Sequence, residues 1–293
     1  MKIVHSPEEL GPGRRAVAIG VFDGVHLGHR RVLDAARAAG LTSTVVTFDP
    51  HPRTVFGDRV ELLTTRERRL ELVADAGLDE ALVLEFDLEF ARTSPEEFAE
   101  RYLRAIGADI VVAGAGFRFG HRRAGDLALL ESLGFDVRRV PLVEGVSSTA
   151  IRTLVKAGEV DRAALLLGRP VEVEGVVVSG HARGGTLGFP TANLQLERDL
   201  LVPSYGIYAG AALDTRAAIS IGVNPHYGGD EQRVEAFLLD YDGDLYGQRL
   251  VVELWRRLRD ERSFDSEAEL VTQIARDVEE TRAAQRPFYA VKP

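Results

Sequence analysis

At Gly168-Arg169-Pro170 the chain changes its periodicity, and no other feature constrains its fold as much. Before that point, short apolar runs at 16–21, 44–48, 81–86 and 109–113, with a weaker one at 137–140, alternate with helical patterns at 30–39, 66–76 and 95–106. Strands alternating with helices imply βαβ units and a parallel sheet. Such sheets bind ligands at the carboxyl ends of their strands, near the point where strand order reverses. After that point, runs at 171–179, 207–213, 217–223, 233–241 and 249–254 are separated by Gly, Pro, Asn and Asp clusters. Short strands in series predict a compact β barrel or sandwich. Residues 266–284 carry Leu270, Ile274 and Val278 on one helical face, so an amphipathic helix is expected to close this half. The helical stretch 149–167 ends at the Gly168 and Pro170 stop signal. Two domains are therefore expected, 1–168 and 169–293.

Composition narrows the chemistry. None of the 293 residues is cysteine, which excludes disulfides, thiolate zinc sites and cysteine nucleophiles. The same absence fits a cytoplasmic location. The formal charge of −9, from 36 basic and 45 acidic residues, argues against a broad nucleic-acid footprint but leaves a local nucleotide site open. No apolar run approaches the ~20 residues a membrane helix needs. The start of the chain, with Lys2, His5, Glu8 and Glu9, does not read as a signal peptide. Small molecules are thus the expected partners, with neither nucleic acid nor membrane among them. Lysine occurs only at Lys2, Lys156 and Lys292, and no G-x-x-x-x-G-K-[ST] loop is present.

The segment Gly20-Val21-Phe22-Asp23-Gly24-Val25-His26-Leu27-Gly28-His29 directly follows the first strand. Its glycines let backbone approach a ligand closely. If a helix starts near His26, both imidazoles face one side of its first turn, where amide N–H groups favour an anion. Imidazoles there can donate to a phosphoryl group gaining charge. A glycine-rich turn with two surface histidines, or a metal-binding pair, would use the same residues. Asp49-Pro50-His51-Pro52, after the second strand, has its backbone fixed by two prolines, as any rigid turn would. Ser147-Ser148-Thr149 with Arg152 opens a helix. Those hydroxyls read as caps, or with the Arg as a polyphosphate grip.

The second half holds another glycine-rich loop, with Gly180, Arg183, Gly184, Gly185 and Thr186, running into Pro190-Thr191-Ala192-Asn193. Such loops can fold N–H groups over phosphates, though a long hairpin loop would look alike. Thr191 and Asn193 supply oxygen ligands suited to Mg2+. Glu235 alternates with Phe237 and Leu239. A carboxylate on an apolar strand face is either a general base or a sheet-edge residue.

H-x-G-H after a first strand resembles the mark of the nucleotidylyltransferase superfamily. The longer G-x-F-D-G-x-H-x-G-H looks like the bacterial bifunctional riboflavin kinase/FAD synthetase family. Ser-Ser-Thr-x-Ile-Arg, Pro-Thr-Ala-Asn and the strand bearing Glu235 are similar to that family too, so the resemblance runs from Ala16 to about Ala284. It implies a Rossmann-like adenylyltransferase domain followed by an antiparallel riboflavin kinase barrel with a closing helix. It implies ATP as co-substrate, riboflavin, FMN and FAD as substrates and products, and Mg2+ as cofactor. His26 and His29 would stabilise charge during adenylyl transfer, and Glu235 would deprotonate the riboflavin hydroxyl. Gly20, Phe22, Asp23, Gly24, Gly28, Ser148, Thr149 and Arg152 would hold the adenylyltransferase's nucleotide. Asp49, Pro50, His51, Pro52 and Phe56 would serve its flavin. The kinase nucleotide would meet Gly180, Arg183, Gly184, Gly185, Thr186, Thr191 and Asn193, the last two also holding the metal. Gly116 stands where the family usually carries Asp or Asn, and Gly145 where it often carries Arg. A kinase with a weakened adenylyltransferase, or a flavin carrier without turnover, are the two rival expectations.

Overall fold

The computed structural model describes residues 1–179, 189, 191–223 and 232–287. They form two compact units, Met1–Val60 with Arg66–Ser147, and Glu61–Thr65 with Ser148–Pro293.

The first unit is a six-stranded parallel sheet with helices between its strands. In chain order it contains β1 (Lys2–Val4), β2 (Arg15–Ile19), α1 (Leu27–Arg37), β3 (Thr42–Asp49), α2 (Pro52–Val55), α3 (Arg66–Asp75) and β4 (Glu80–Glu85). Then come α4 (Pro95–Phe98), continued by wider helical turns over Ala99–Arg104, and β5 (Ala108–Gly114), α5 (Leu127–Ser132) and β6 (Asp136–Val140). The order is β1-β4-β3-β2-β5-β6. All five residues of β2 are buried. The reason is that two apolar clusters cover the sheet, one on each face, as parallel sheets require. Every strand expected in this half is present. β1 escaped the reading because three residues are too few to show a period. The chain runs β2-β3-β4 to one side and then returns to place β5 against the other side of β2, so strand order reverses between β2 and β5.

The second unit contains α6 (Ser148–Lys156), α7 (Val160–Leu167), β7 (Val171–Val178), β8 (Ala192–Leu196), β9 (Gly206–Ala212), β10 (Thr215–Val223), β11 (Gln232–Leu238), β12 (Arg249–Arg259) and α8 (Glu267–Ala283). Its strands close into an antiparallel barrel in the order β10-β11-β8-β7-β12-β9. Closure leaves no free sheet edge. β8 was not anticipated, because its Ala-Asn-Leu-Gln-Leu run looks like the tail of a glycine-rich loop.

Packing parts the chain at Ser147–Ser148, upstream of the expected 168/169 division. Ile151 and Val155 of α6, and Val160, Ala163 and Leu167 of α7, are buried in the same core as Val173, Ile219 and Leu254 of the barrel. A helix's apolar face shows in sequence, but not which core it enters. The short segment Glu61–Thr65 joins this unit as a strap. Leu62 N–H donates to Asp199 O (2.6 Å), Leu201 N–H donates to Leu62 O (2.8 Å), and the Thr65 hydroxyl donates to Glu174.

The closing helix departs from expectation in its buried face. Leu270, Ile274 and Val278 are half-buried, while Gln273, Asp277 and Thr281 are buried. The cause is an ion pair. Arg259 Nη2 donates to Asp277 Oδ2 at 2.7 Å and its Nε to Oδ1 at 2.9 Å, and Gln273 Nε2 donates to Oδ1 at 2.9 Å. A buried charge so paired and hydrogen-bonded can occupy a position an apolar side chain would otherwise take.

Candidate active sites

In the first unit the loop after β2 lies at the switch point. Gly20 N–H still donates to Val46 O (3.2 Å), and the chain then turns, with Val25 N–H donating to Phe22 O (2.9 Å). Phe22, Gly24 and Val25 all have positive φ, at 56°, 81° and 38°. For a β-branched valine this is a strained conformation, of the kind that persists where surrounding packing holds it and clusters at functional sites. The packing here is close, since Phe22, Asp23 and Val25 are each 2% exposed or less.

The turn delivers His26 to the N-cap of α1, where its Nδ1 accepts from the His29 backbone N–H at 3.2 Å. The neutral ring therefore carries its proton on Nε2, which is a donor. The two imidazoles stack, with centroids 3.6 Å apart and planes 12° from parallel, and Phe22 meets His29 edge-on at 5.2 Å. Gly28 permits this. A Cβ there would stand 3.2 Å from His26 Cε1 and 3.3 Å from Nδ1. The loop is thus a rigid pair of imidazoles on a helix N-terminus, suited to hydrogen-bonding an anion.

Asp49 ends the neighbouring strand β3, and His51 caps α2 by accepting from Arg53 N–H (3.2 Å). Phe56 is 64% exposed, with its ring 6.2 Å from Phe86 at the rim of an aromatic cluster that includes Phe48 and Phe90. An aromatic face open on one side can stack a planar ring. Sequence reading missed Arg69 on α3. It is 2% exposed, and its Nη2 donates to Phe48 O (3.2 Å) and Asp49 Oδ1 (3.4 Å). The signal was there, because Arg69, Leu72 and Val73 share the i, i+3, i+4 spacing of the helix's buried face. The run Arg66-Glu67-Arg68-Arg69 disguises it as solvated charge.

Ser148, Thr149 and Arg152 belong to the second unit. They form the first turns of α6, where Arg152 Nε donates to Glu61 O (2.7 Å) and so holds the strap.

In the barrel, Val234, Ala236 and Leu238 of β11 point into the core, so Glu235 and Phe237 lie on the other face. Glu235 is 19% exposed, with Arg233 Nη1 at 3.5 Å. Its register partners are Asn193 on β8 and Ser220 on β10. Directly opposed residues share a sheet face. The barrel thereby brings Glu235 beside Asn193, two residues far apart in sequence. Asn193 Nδ2 donates to Thr191 O at 3.4 Å, which commits the amide nitrogen and leaves Oδ1 as a ligand atom. Phe189 packs edge-on against Phe237 at 5.4 Å. Gly180, Arg183, Gly184, Gly185, Thr186 and Pro190 lie outside the described residues.

Both units thus present hydrogen-bond donors or hard oxygen atoms where a phosphate chain could lie, the class of nucleotide-dependent group transferases. Comparison with known proteins sharpens this. The FAD synthetase family model matches residues 10–153 and the riboflavin kinase model residues 167–285. The bifunctional riboflavin kinase/FMN adenylyltransferase of Listeria monocytogenes is 35% identical over 96% of both chains. Its namesake from Escherichia coli K12 is 36% identical over 94% of this chain and 96% of its own. A crystal structure from Streptococcus pneumoniae, described as a macrolide-efflux protein, superposes with TM-score 0.86 at 32% identity over 97% of this chain and 99% of its own. Among the described residues, no helix is long and apolar enough to cross a membrane. The chain belongs to the bifunctional riboflavin kinase/FMN adenylyltransferase family, and is a transferase with a kinase module and an adenylyltransferase module.

Proposed function

We propose that the barrel transfers the γ-phosphoryl of ATP to the 5′-hydroxyl of riboflavin, and that the parallel-sheet module joins the resulting FMN to AMP from a second ATP. Glu235 accepts the hydroxyl proton as the riboflavin oxygen attacks the γ-phosphorus and ADP leaves. In the other module an FMN phosphate oxygen attacks the α-phosphorus of ATP, and pyrophosphate leaves with its bond to that phosphorus broken. His26 and His29 hydrogen-bond the phosphoryl oxygens as they gain charge, while Gly20, Gly24 and Gly28 admit the phosphate chain. Asp49, Pro50, His51, Pro52 and Phe56 receive the flavin.

Thr191 and Asn193 fit Mg2+ as a pair of hard, neutral oxygen donors, a set completed by ATP phosphates and water. When bound, the ion neutralises phosphate charge. One observation carries the kinase reading, the cross-strand pairing of Glu235 with Asn193, which puts a carboxylate beside a hard oxygen donor. The cytoplasm is the proposed location, and small molecules the proposed partners.

Incubating the chain with riboflavin, ATP and Mg2+ and separating the flavins tests this. FMN followed by FAD is the expected result. FMN alone would mean that only the kinase turns over, and neither product would leave a flavin carrier.

Residues 1–168 and 169–293 are proposed as the functional modules, yet α6 and α7 share the barrel core. Fragments 148–293 and 169–293 both lack the strap, so comparing them isolates the two helices. Full burial of each large aliphatic side chain contributes roughly 1.5–3 kcal/mol. The longer fragment is therefore expected to unfold at clearly higher urea concentration, with the kinase activity persisting in it. Coincident unfolding curves would show that α6 and α7 add nothing to the barrel.

Gly116 and Gly145 differ in what they allow. Gly116 is exposed in the turn after β5, beside the β2 loop's strand, and a Cβ there would meet nothing within 4 Å. Gly145 has φ +71°, so an arginine there would be strained. Gly116→Asp is thus the substitution the backbone accepts. It is expected to tighten ATP in FMN adenylylation by about 0.5–3 kcal/mol, the range for one regained polar contact. An unchanged KM for ATP would mean that this turn does not meet the nucleotide.

A further inference from the structure

Arg69 is a cation where a cation is costly. Its side chain is 3% exposed, and its Nε is buried with no hydrogen-bond partner among the described residues. Burial pulls the guanidinium below its usual pKa, and the charges of Asp49 and then Asp23 draw it back. Burying arginine merely to fill space is unfavourable when an apolar side chain of like volume packs as well. Arg69 instead touches the last two residues of β3, the Phe48 carbonyl and the Asp49 carboxylate. Arg66, 58% exposed, reaches the same carboxylate from solvent, with Nη1 3.5 Å from Oδ2. Asp49 is therefore held from two sides, immediately before Pro50 and the cap of α2. Asp23, buried in the β2 turn, feels the same guanidinium. The contrast is Arg15, at the opposite end of the sheet, whose buried guanidinium has Nε 2.7 Å from Glu80 Oε2, Nη1 2.7 Å from Ile106 O and Nη2 3.0 Å from Gly11 O. Arg15 is satisfied and structural, whereas Arg69 is under-satisfied and sits at the carboxyl ends of the strands.

We propose that Arg69 is a positioning residue of the adenylyl-transfer site, fixing Asp49 and the Pro50–Pro52 turn against the β2 loop so that FMN binds in a reactive pose. This rests on the reading of that end of the sheet as the FMN adenylyltransferase site. Arg69 touches loop-bearing backbone and a carboxylate, and acts through them. Misplacing a substrate-positioning element by an ångström commonly costs roughly 10–100-fold.

The test uses the full chain and its Arg69→Met and Arg69→Lys variants. FAD formation is measured across an FMN titration at saturating ATP, with riboflavin phosphorylation and thermal unfolding on the same preparations. Arg69→Met is expected to raise KM for FMN at least tenfold, with a smaller fall in kcat and phosphorylation unchanged. Arg69→Lys keeps the charge and loses the planar fork, and is expected to fall between. If Arg69→Met does not fold, Arg69→Lys decides. A raised KM for FMN in a folded lysine variant supports the proposal, and wild-type KM and kcat in it overturn the proposal. A folded Arg69→Met with wild-type KM for FMN also overturns it. A wild-type chain that forms no FAD would overturn the reading of the module itself, and the proposal with it.

Discussion

Glu235→Gln is expected to lower riboflavin phosphorylation by roughly 10²–10⁴-fold, the usual cost of losing one general base. The substitution is nearly isosteric, so the β8–β11–β10 register and the Phe189–Phe237 contact should survive it. It also removes the charge that Arg233 faces at 3.5 Å, but both side chains are partly exposed and such pairs contribute little to stability. The loss should therefore fall on kcat, with KM for ATP largely retained, because an interaction made only in the transition state leaves ground-state binding alone. Adenylylation of added FMN by the same preparation is the internal control and should be unchanged. Phosphorylation at the wild-type rate would remove Glu235 from the chemistry and leave it a sheet residue beside Asn193.

Much of this arrangement was legible in the chain, and the illegible parts share a cause. The β2 loop could be read because its whole geometry is local: directly after β2, the turn, the cap and both histidines lie within ten consecutive positions, 20–29. The nearness of Glu235 to Asn193 is not local, and depends on barrel register that alternation alone does not fix. Alternation did identify the face shared by Glu235 and Phe237. It could not say that the core takes the opposite face, since Phe237 and Leu239 make the Glu235 face look apolar too, beside Val234, Ala236 and Leu238. Arg69 and Asp277 were missed for a related reason. A buried charge is compensated by partners distant in sequence, Asp49 for one and Arg259 for the other, so the periodicity that marks burial is masked by residue type. The 149–167 stretch was read correctly as helical, but which core receives it is decided only in three dimensions.

His29→Ala is expected to lower kcat for FMN adenylylation by roughly 10²–10³-fold at saturating ATP, the range for removing one transition-state donor. His29 is the better probe of the pair for a structural reason. His26 caps α1 through Nδ1, so truncating it removes a helix cap, at about 0.5–2 kcal/mol, along with the imidazole. His29 enters that cap only through its backbone N–H, which alanine keeps. Its ring lies against His26 and Phe22, and with it removed the turn retains the Val25–Phe22 hydrogen bond and the buried Phe22, Asp23 and Val25 that fix it. The ATP affinity of the module should accordingly change little, because the glycine-framed N–H groups remain to meet the phosphates. The measurement is FAD formation from FMN across an ATP titration, with riboflavin phosphorylation as the control. A variant with a raised KM for ATP and an intact kcat would make His29 a binding group alone. One with both constants intact would assign the stacked imidazoles to structure and remove charge stabilisation from this half of the proposed mechanism.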